Sequence, residues 1–356
     1  MNIVITGAAG YVGGMLCDQF SKKTQIDHII AIDKDPMPKL LQRNKKIVWV
    51  DANTSSHDWQ DVARSHEPTV FINCAWQIRE MYGNQKTQWQ WNVEGCNNVY
   101  DFVFSNPSIE RFVHFSTVSS YGAYHTNTLD YITEDQPFTE NSYLYGIEKR
   151  VAEENLEKKY AAAKQSGHVP QVFIVRPQAI TGPRGRFMFE RFGLMAVLQG
   201  GNGAIPGFVK KLVSVIPVTH RWWSRQFIHE DDVCDIVDLF TFNDNLPGEY
   251  EAFNIGTDTY VDAETMARIT GKRIVRIPAN LARVIYGCLW HGTRGKIPTA
   301  HGGWRFYTYP VVVSGKKLTN MHNFQYRCTG PQALEFTNGR YESYVPEEKR
   351  NHSNEF

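Results

Sequence analysis

The chain begins with Ile3-Val4-Ile5-Thr6, continues through Gly7-Ala8-Ala9-Gly10-Tyr11-Val12-Gly13, and reaches a second apolar run at Ile29-Ile30-Ala31-Ile32-Asp33. The order is an apolar strand, a glycine-rich turn, an amphipathic helix, and a second strand that ends in an acid. Strands that alternate with helices in this way are typical of a parallel sheet covered by helices.

The glycine-rich turn has the spacing that a dinucleotide requires. Gly7 permits a tight turn, Gly10 lets the backbone approach a pyrophosphate, and Gly13 lets the helix pack closely on the sheet. The amino end of the helix then faces the phosphates with free N–H groups. Asp33 can accept hydrogen bonds from both hydroxyls of the adenosine ribose, whereas a 2′-phosphate would meet its carboxylate. The sequence therefore predicts a site for NAD rather than NADP.

A tyrosine and a lysine stand four residues apart in a segment of helical composition. Tyr145 and Lys149 lie between about Ser142 and Lys164, where Ala, Glu, Lys and Leu dominate. Positions four apart share a helix face, and a nearby ammonium lowers the pKa of a phenol toward the range of efficient proton transfer. The pair is a candidate general acid/base, although an exposed Tyr and Lys are also frequent at this spacing.

A cluster of hydroxyl side chains supports the catalytic interpretation. Ser116-Thr117-Val118-Ser119-Ser120 follows the apolar run Arg111 to Phe115. Open α/β sheets bind ligands at the carboxyl ends of their strands, so these hydroxyls are expected to lie at a site.

Together these features resemble the extended short-chain dehydrogenase/reductase family, which includes NAD-dependent sugar-nucleotide epimerases and dehydratases. The resemblance runs from Met1 to about Leu334. The stretches that carry it are Gly7 to Gly13, Asn92-Val93-Glu94-Gly95, Ser116 to Gly122, the Tyr145/Lys149 pair, Arg176-Pro177, Gly182-Pro183 and Phe227 to Val233.

The resemblance implies catalytic and cofactor-binding roles for the matching residues. Tyr145 matches the acid/base, Lys149 the residue that holds the nicotinamide ribose, and Thr117 the hydroxyl that bonds the substrate oxygen, with Ser116 and Ser119 as neighbours that could be mistaken for it. Asp51 matches an acid that binds the adenine amino group. The residues expected to contact NAD are Gly7, Gly10, Tyr11, Val12, Gly13, Asp33, Asp51, Ala52, Asn73, Ala75, Asn92, Tyr145, Lys149 and Pro177.

The resemblance also implies a substrate site, but the motifs there depart from the family pattern. Ser119, Gln178 and Arg225 are the expected substrate contacts, and Arg225 matches an arginine that contacts a substrate diphosphate. Dehydratases usually carry Asp-Glu directly after the catalytic Thr, where this chain has Val118-Ser119. Many epimerases have an Asn two residues after the Arg-Pro pair, where this chain has Gln178-Ala179. These departures leave the identity of the substrate open, whereas the expected fold does not depend on them.

Composition narrows the class of protein further. The chain has 356 residues and a formal net charge of +1, so the sequence predicts no nucleic-acid partner. Its six cysteines lack metal-ligand spacing, as do the histidines, which favours reduced thiols in a cytoplasmic protein over disulfides or a metal site. No apolar run reaches the roughly 18 residues of a membrane span. A homodimer is expected.

The alternation of apolar runs and helical stretches predicts a doubly wound, Rossmann-type parallel sheet with a smaller carboxyl-terminal substrate-binding domain. The NAD-binding domain is expected over residues 1–182, with part of 226–256 returning to it. Residues 183–346 are expected to form mainly the substrate-binding domain, and 347–356 a flexible tail. The predicted strands are 2–6, 28–33, 47–50, 69–73, 111–116 and 171–176. The predicted helices are 11–22, 57–65, 86–105, 142–164, 186–198 and 231–242.

Three functions remain open from the sequence. The first is an epimerase-type enzyme that oxidises a hydroxyl of a nucleotide-sugar to a transient ketone. The second is a 3-beta-hydroxysteroid-like dehydrogenase of an apolar alcohol. For this function the apolar stretches Leu281 to Trp290 and Trp304 to Pro310 would form a substrate channel or an interfacial patch, rather than an ordinary packed helix and strand. The third is a non-catalytic NAD-binding sensor, against which the intact Tyr145/Lys149 pair argues.

Overall fold

A seven-stranded parallel sheet lies at the centre of the computed structural model, which describes residues 1–39, 41–167, 169–185, 215–336 and 338–347. The described strands are β1 (Asn2–Thr6), β2 (His28–Asp33), β3 (Ile47–Asp51), β4 (Val70–Asn73), β5 (Arg111–Phe115), β6 (Gln171–Pro177), β7 (Ala179–Thr181), β8 (Val215–Val218), β9 (Ser224–Arg225), β10 (Phe227–His229), β11 (Tyr250–Ile255), β12 (Val261–Asp262) and β13 (Arg273–Arg276). The central sheet has the order β11-β6-β5-β4-β1-β2-β3, and each neighbouring pair is parallel.

Helices cover both faces of this sheet. The described α-helices are α1 (Tyr11–Ser21), α2 (Gln60–Ser65), α3 (Gln85–Trp89), α4 (Gly95–Ser105), α5 (Leu144–Ser166), α6 (Glu230–Phe242), α7 (Ala263–Thr270), α8 (Ala279–Gly292), α9 (Gly303–Thr308), α10 (Lys316–His322) and α11 (Gly330–Glu335). One apolar core lies under α1 and α6, and a second lies under α2, α4 and α5. Because both faces are covered, central strands such as β1 are apolar along their length. The predicted doubly wound α/β fold is confirmed.

The order of the strands creates a site at one edge of the sheet. The chain runs from β1 outward to β2 and β3, and then returns to the other side of β1 with β4, β5 and β6. Such a reversal leaves a crevice at the carboxyl ends of the strands, where ligands bind. The turn after β1 and the loops after β4, β5 and β6 meet there.

Short strand pairs and the later helices form a smaller region beside this edge. β10 pairs with β7, β12 with β9, and β13 with β8. Its apolar core includes Ile216, Trp223, Phe227 and Met266. The predicted boundary between residues 182 and 183 stays a prediction, and the chain near Tyr341 packs in the same core cluster as α1.

Several local predictions differ from the structure. The helix expected over 86–105 is divided into α3 and α4 by a wider helical turn at Gln90–Glu94. The stretch 304–310, expected as a strand, contains α9 instead. The helix expected over 186–198 and all but the first residue of the expected tail, 347–356, lie outside the described residues. No helix within the described ranges is long and apolar enough to cross a membrane.

Candidate active site

A cavity of about 790 Å³ lies at the carboxyl ends of β1, β4, β5 and β6. Its wall contains most of the residues that the sequence motifs predicted. Those that line it are Gly7, Gly10, Tyr11, Val12, Gly13, Asp33, Ala52, Ala75, Asn92, Thr117, Ser119, Tyr145, Lys149, Pro177, Gln178 and Arg225. One cavity therefore joins the glycine-rich turn, the Tyr/Lys pair and the predicted substrate contacts.

The glycine-rich turn is shaped by the absence of side chains. Gly7 has a φ of +67°, and a Cβ there would lie 2.8 Å from the backbone nitrogen of Ala75. A Cβ at Gly10 would lie 2.9 Å from the carbonyl oxygen of Gly7. Both contacts are too close for a larger residue, so the turn stays tight at the amino end of α1, where N–H groups favour phosphate oxygens.

Asp33 is fixed by backbone donors at the end of β2. Its carboxylate accepts hydrogen bonds from the N–H groups of Ala9 at 2.8 Å and Asp35 at 2.9 Å. Burial raises the pKa of Asp33, and these two hydrogen bonds oppose the rise. The Asp33 carboxylate thus lies beside the glycine-rich turn, which is the position expected of a residue that accepts hydrogen bonds from the adenosine ribose.

Thr117 and Tyr145 lie together on the cavity wall. Tyr145 lies in the first turn of α5, and the Thr117 side chain is close enough to act on its phenol. Thr117 also accepts a hydrogen bond from the N–H of Ser119 at 3.1 Å. Burial raises the pKa of Tyr145, and the Thr117 hydroxyl lowers it to a smaller extent. The expectation that Lys149 lowers the pKa of this phenol stays a prediction.

Lys149 lies one helical turn beyond Tyr145, as the spacing predicted. Its Nζ donates a hydrogen bond to the carbonyl oxygen of Phe115 and lies 3.7 Å from the centre of the Trp76 ring. Burial lowers the pKa of Lys149 to about 8. The ammonium therefore loses its proton far more readily than an exposed lysine does.

Arg225 lies on β9 and lines the same cavity. Its guanidinium donates hydrogen bonds to the carbonyl oxygens of Ser224 and Tyr307, and it lies against the rings of Trp223 and Tyr307. Burial lowers the pKa of Arg225. Within the described ranges it forms no ion pair, so its charge is available to an anion in the cavity.

Two predicted cofactor contacts do not reach the cavity wall. Asp51 is exposed at the end of β3, and the following residues Asn53 and Thr54 line the cavity instead. Asn73 is buried, where it accepts a hydrogen bond from Thr6 at 2.6 Å and contacts Cys96. Both positions were assigned by resemblance alone, which fixes the sequence position but not the direction of the side chain.

Asn92 lines the cavity, but protein groups occupy its amide. The side-chain oxygen accepts from the N–H of Gln77 at 2.7 Å, and the amide nitrogen donates to the carbonyl of Gln77 and to Glu148. Gln178 likewise donates weakly, at 3.5 Å, to the carbonyls of Thr257 and Val313.

Sequence reasoning missed a group of largely apolar cavity residues. They are Trp76, Gln77, Ile78, Trp91 and Val311. The loop after β4 offered a signal, because it follows a buried strand at the same edge as the hydroxyl cluster. By contrast, none of Leu281 to Trp290 lines the cavity. This stretch forms α8 with Leu281 and Val284 exposed, so it is the helix that the sequence offered as one interpretation and it does not form a substrate channel. Phe306 and Tyr309, from the second apolar stretch, do line the cavity.

The ligand-type side chains of the described residues are scattered rather than clustered. They contain no group of three or more His, Cys, Asp or Glu side chains placed to hold a metal ion. The cysteines, all of which fall within the described ranges, are free thiols.

The sequence matches the model of the NAD dependent epimerase/dehydratase family over residues 3–256. The chain therefore belongs to this family, which confirms the class expected from the motifs. A curated relative, an uncharacterized UDP-glucose epimerase of Bacillus subtilis, is 26% identical over 202 residues. That alignment covers 52% of this chain and 58% of the relative, so the chain matches little more than half of the relative's length.

Solved structures share the fold over nearly the whole chain. A dTDP-glucose 4,6-dehydratase from Bacillus anthracis, solved with NAD, has a TM-score of 0.67 and 18% identity, and the match covers 98% of each chain. A UDP-glucose 4-epimerase from Thermotoga maritima, solved with UDP-glucose, has a TM-score of 0.66 and 17% identity, over 94% of this chain and 96% of that one. At this identity the likeness shows the fold alone.

Proposed function

We propose that the protein is an NAD-dependent enzyme of the epimerase type that oxidises a hydroxyl of a nucleotide-sugar to a transient ketone. The observation that carries this proposal is the placement of the Thr117–Tyr145 pair and Lys149 in the same cavity as the glycine-rich turn. Family membership supports the choice of cofactor and substrate, as do the NAD and the UDP-glucose with which the two related structures were solved.

The residues around the glycine-rich turn fit NAD. Gly7 and Gly10 leave a cradle that a Cβ would fill, and the amino end of α1 faces it. Asp33 would hold the adenosine ribose, and Lys149 the nicotinamide ribose. Bound there, NAD supplies the hydride acceptor for oxidation and the donor for the return step.

Proton transfer falls to Tyr145. The deprotonated Tyr145 takes the proton of the substrate hydroxyl and becomes the neutral phenol as the ketone forms, and the phenol returns this proton on reduction, while Thr117 holds the same oxygen. Val118 and Ser119 follow Thr117, so this stretch offers no carboxylic acid that could remove water from a keto-sugar. An epimerase-type cycle therefore suits the site better than a dehydratase cycle.

Arg225 would bind the diphosphate of the nucleotide. A guanidinium matches phosphate oxygens with two parallel hydrogen bonds, and such charge-assisted contacts are the strong ones. The aromatic rings of Trp223 and Tyr307 pack against the guanidinium of Arg225 and hold it at the cavity wall.

Mass spectrometry of the purified protein for retained NAD, followed by a panel of nucleotide-sugars watched at 340 nm and by product chromatography, tests this function. We expect conversion between stereoisomers with little net absorbance, because an epimerase recycles its NAD. Steady accumulation of NADH on a sterol, with no conversion of any nucleotide-sugar, would contradict it.

One observation favours the second candidate, a dehydrogenase of an apolar alcohol. Ile78, Val118, Phe306 and Val311 are apolar residues of the cavity wall. Arg225 nevertheless lines the same cavity without an ion-pair partner in the described residues, and an uncharged alcohol would leave it without one. The nucleotide-sugar therefore remains our proposal.

We also propose that the protein is a cytoplasmic homodimer. The cysteines other than Cys288 are at least partly buried as free thiols, which suits a reducing compartment. Light scattering of the purified protein tests the oligomeric state, and cell fractionation tests the location; a monomer or an exported protein would contradict the respective statement.

A further inference from the structure

The indole of Trp76 covers the ammonium group of Lys149. The Nζ atom lies 3.7 Å from the centre of the ring, well within the range of cation–π attraction. Nζ also donates a hydrogen bond to the carbonyl oxygen of Phe115. An ammonium has three N–H donors, so these two contacts leave one N–H, which has no partner among the residues that the structure describes.

The backbone next to Trp76 is held by an amide from the turn between α3 and α4. Asn92 accepts a hydrogen bond from the N–H of Gln77 at 2.7 Å and donates one to its carbonyl at 3.0 Å. The amide nitrogen of Asn92 also donates to Oε2 of Glu148 at 2.7 Å. Glu148 is fully buried and directly precedes Lys149 on α5. The lysine and its aromatic cover are therefore fixed by neighbouring parts of one network.

A second amide fixes the same loop further along. Gln88 donates to Oε2 of Glu148 at 3.0 Å and accepts a hydrogen bond from the N–H of Met81 at 2.8 Å. The segment 77–81 is thus attached at both ends to amides that share one carboxylate oxygen. This double attachment restrains the loop that carries Trp76.

We infer that Trp76 is a positioning residue for the proposed reaction: its ring keeps Lys149 charged and oriented, so that one N–H remains for the nicotinamide ribose. The inference rests on the proposed function, because it assumes that Lys149 holds the cofactor. The electron-rich face of an indole favours a cation, whereas an aliphatic side chain of similar bulk would exclude water without this attraction.

Other charged and titratable groups also act on Lys149, and they are the same in every variant below. Burial has the largest effect and lowers the pKa, while nearby acidic groups raise it. The groups that face Lys149 from the surrounding elements are Cys74 after β4, Cys96 on α4, His114 on β5, and Glu148 and Glu153 on α5.

The test compares Trp76→Leu with Trp76→Phe. NAD affinity is measured by calorimetry across the neutral and alkaline range, together with the pH profile of turnover. For the wild type we expect NAD affinity and turnover to fall as the pH rises through about 8, where Lys149 loses its proton. In Trp76→Leu this fall should begin about one pH unit lower, because a desolvated cation–π contact changes proton affinity by roughly tenfold. Trp76→Phe keeps an aromatic face and should stay close to the wild type.

Trp222→Leu serves as the matched control, because Trp222 is exposed and does not line the cavity. Thermal unfolding checks that each variant folds, and Trp76→Met takes the place of the leucine variant if that one does not. A folded leucine or methionine variant with the wild-type pH dependence of NAD binding would overturn the inference.

Lys149→Met separates this inference from the proposed function. If Lys149→Met binds and turns over like the wild type, the proposed function fails and the inference fails with it. If Lys149→Met is inactive while the Trp76 variants keep the wild-type pH dependence, the function stands and only the role of Trp76 is refuted.

Discussion

The guanidinium carbon of Arg225 lies 4.5 Å from the centre of the Trp223 ring. Trp223 is buried in the core of the smaller region. The ring that contacts the guanidinium of Arg225 is therefore itself held in place by packing. Hydrogen bonds to the carbonyls of Ser224 and Tyr307 restrain the same guanidinium. A cation held in this way loses little conformational freedom when it binds an anion, which favours affinity.

Arg225→Ala should raise KM for the nucleotide-sugar and leave NAD affinity nearly unchanged. Loss of a charge-assisted contact costs roughly 1.5–3 kcal/mol, or about one to two powers of ten in affinity. Steady-state kinetics and calorimetry with NAD check the two parts. Arg221→Ala is the control, because Arg221 is exposed and lies against the exposed Trp222. Equal KM values for Arg225→Ala and the control would contradict the proposed contact between Arg225 and a substrate diphosphate.

Asp33→Ala should weaken NAD binding and narrow its advantage over NADP. The carboxylate is the acceptor for the ribose hydroxyls and the group that repels a 2′-phosphate, and each lost hydrogen bond to a charged group costs about 1.5–3 kcal/mol. Calorimetry with both dinucleotides measures the change, with Asp61→Ala on the exposed side of α2 as the control. Tighter binding of NADP than NAD by the wild-type protein would refute this assignment.

Tyr145→Phe should lower turnover by about 10²-fold or more, the usual contribution of a positioned acid/base, while NAD still binds. The change removes the phenolic oxygen but keeps the ring. Tyr82→Phe is the control, since Tyr82 is 41% exposed. The rate of conversion of the true substrate decides the matter: near wild-type turnover in Tyr145→Phe means that another group carries the proton.

Lys149→Met should stabilise the folded protein at pH 7. Burial lowers the pKa of Lys149 from 10.5 to about 8 in the folded state, so the unfolded chain binds this proton more tightly. Each tenfold difference in proton affinity is worth about 1.4 kcal/mol, which makes the buried charge cost about 3 kcal/mol near neutral pH. The cost falls as the pH rises from about 8 toward 10.5, so the variant should lose its advantage across that window.

Urea unfolding of the wild type and Lys149→Met at several pH values measures this difference. Lys45→Met is the control, because Lys45 is exposed and its loss should leave stability unchanged. An advantage of Lys149→Met that is the same at pH 7 and above pH 10 would show that packing, and not the buried charge, is responsible.

The sequence predicted the parts of the site that depend on local spacing. The glycines at 7, 10 and 13 and the Tyr145/Lys149 pair follow from the geometry of one turn and one helix, and six central strands were placed within about a residue of their observed bounds. The position of Trp76 was beyond such reasoning, because it depends on the neighbouring arrangement of β4 and β5 in the sheet. The bond between Asn92 and the backbone of Gln77 was equally hidden, since a loop backbone carries no sequence signal.

The adenine contact of Asp51 stays a prediction. Asp51 ends β3, where its position matches the family motif, but its side chain is exposed, and the next three residues, Ala52, Asn53 and Thr54, line the cavity. The position of a residue in a motif therefore does not by itself give the direction of its side chain at the end of a strand.

The contact between Tyr341 and α1 has a consequence for synthesis of the chain. The Tyr341 hydroxyl donates a hydrogen bond to Gln19 at 2.8 Å, and its ring is fully buried in the core cluster that also contains Phe20. On the ribosome, α1 emerges among the first elements, but part of its apolar face stays uncovered until residue 341 has left the exit tunnel. A message truncated upstream of that codon would therefore yield a polypeptide whose first helix lacks the packing of Tyr341, even though all the motifs expected to bind the nucleotide have already been translated.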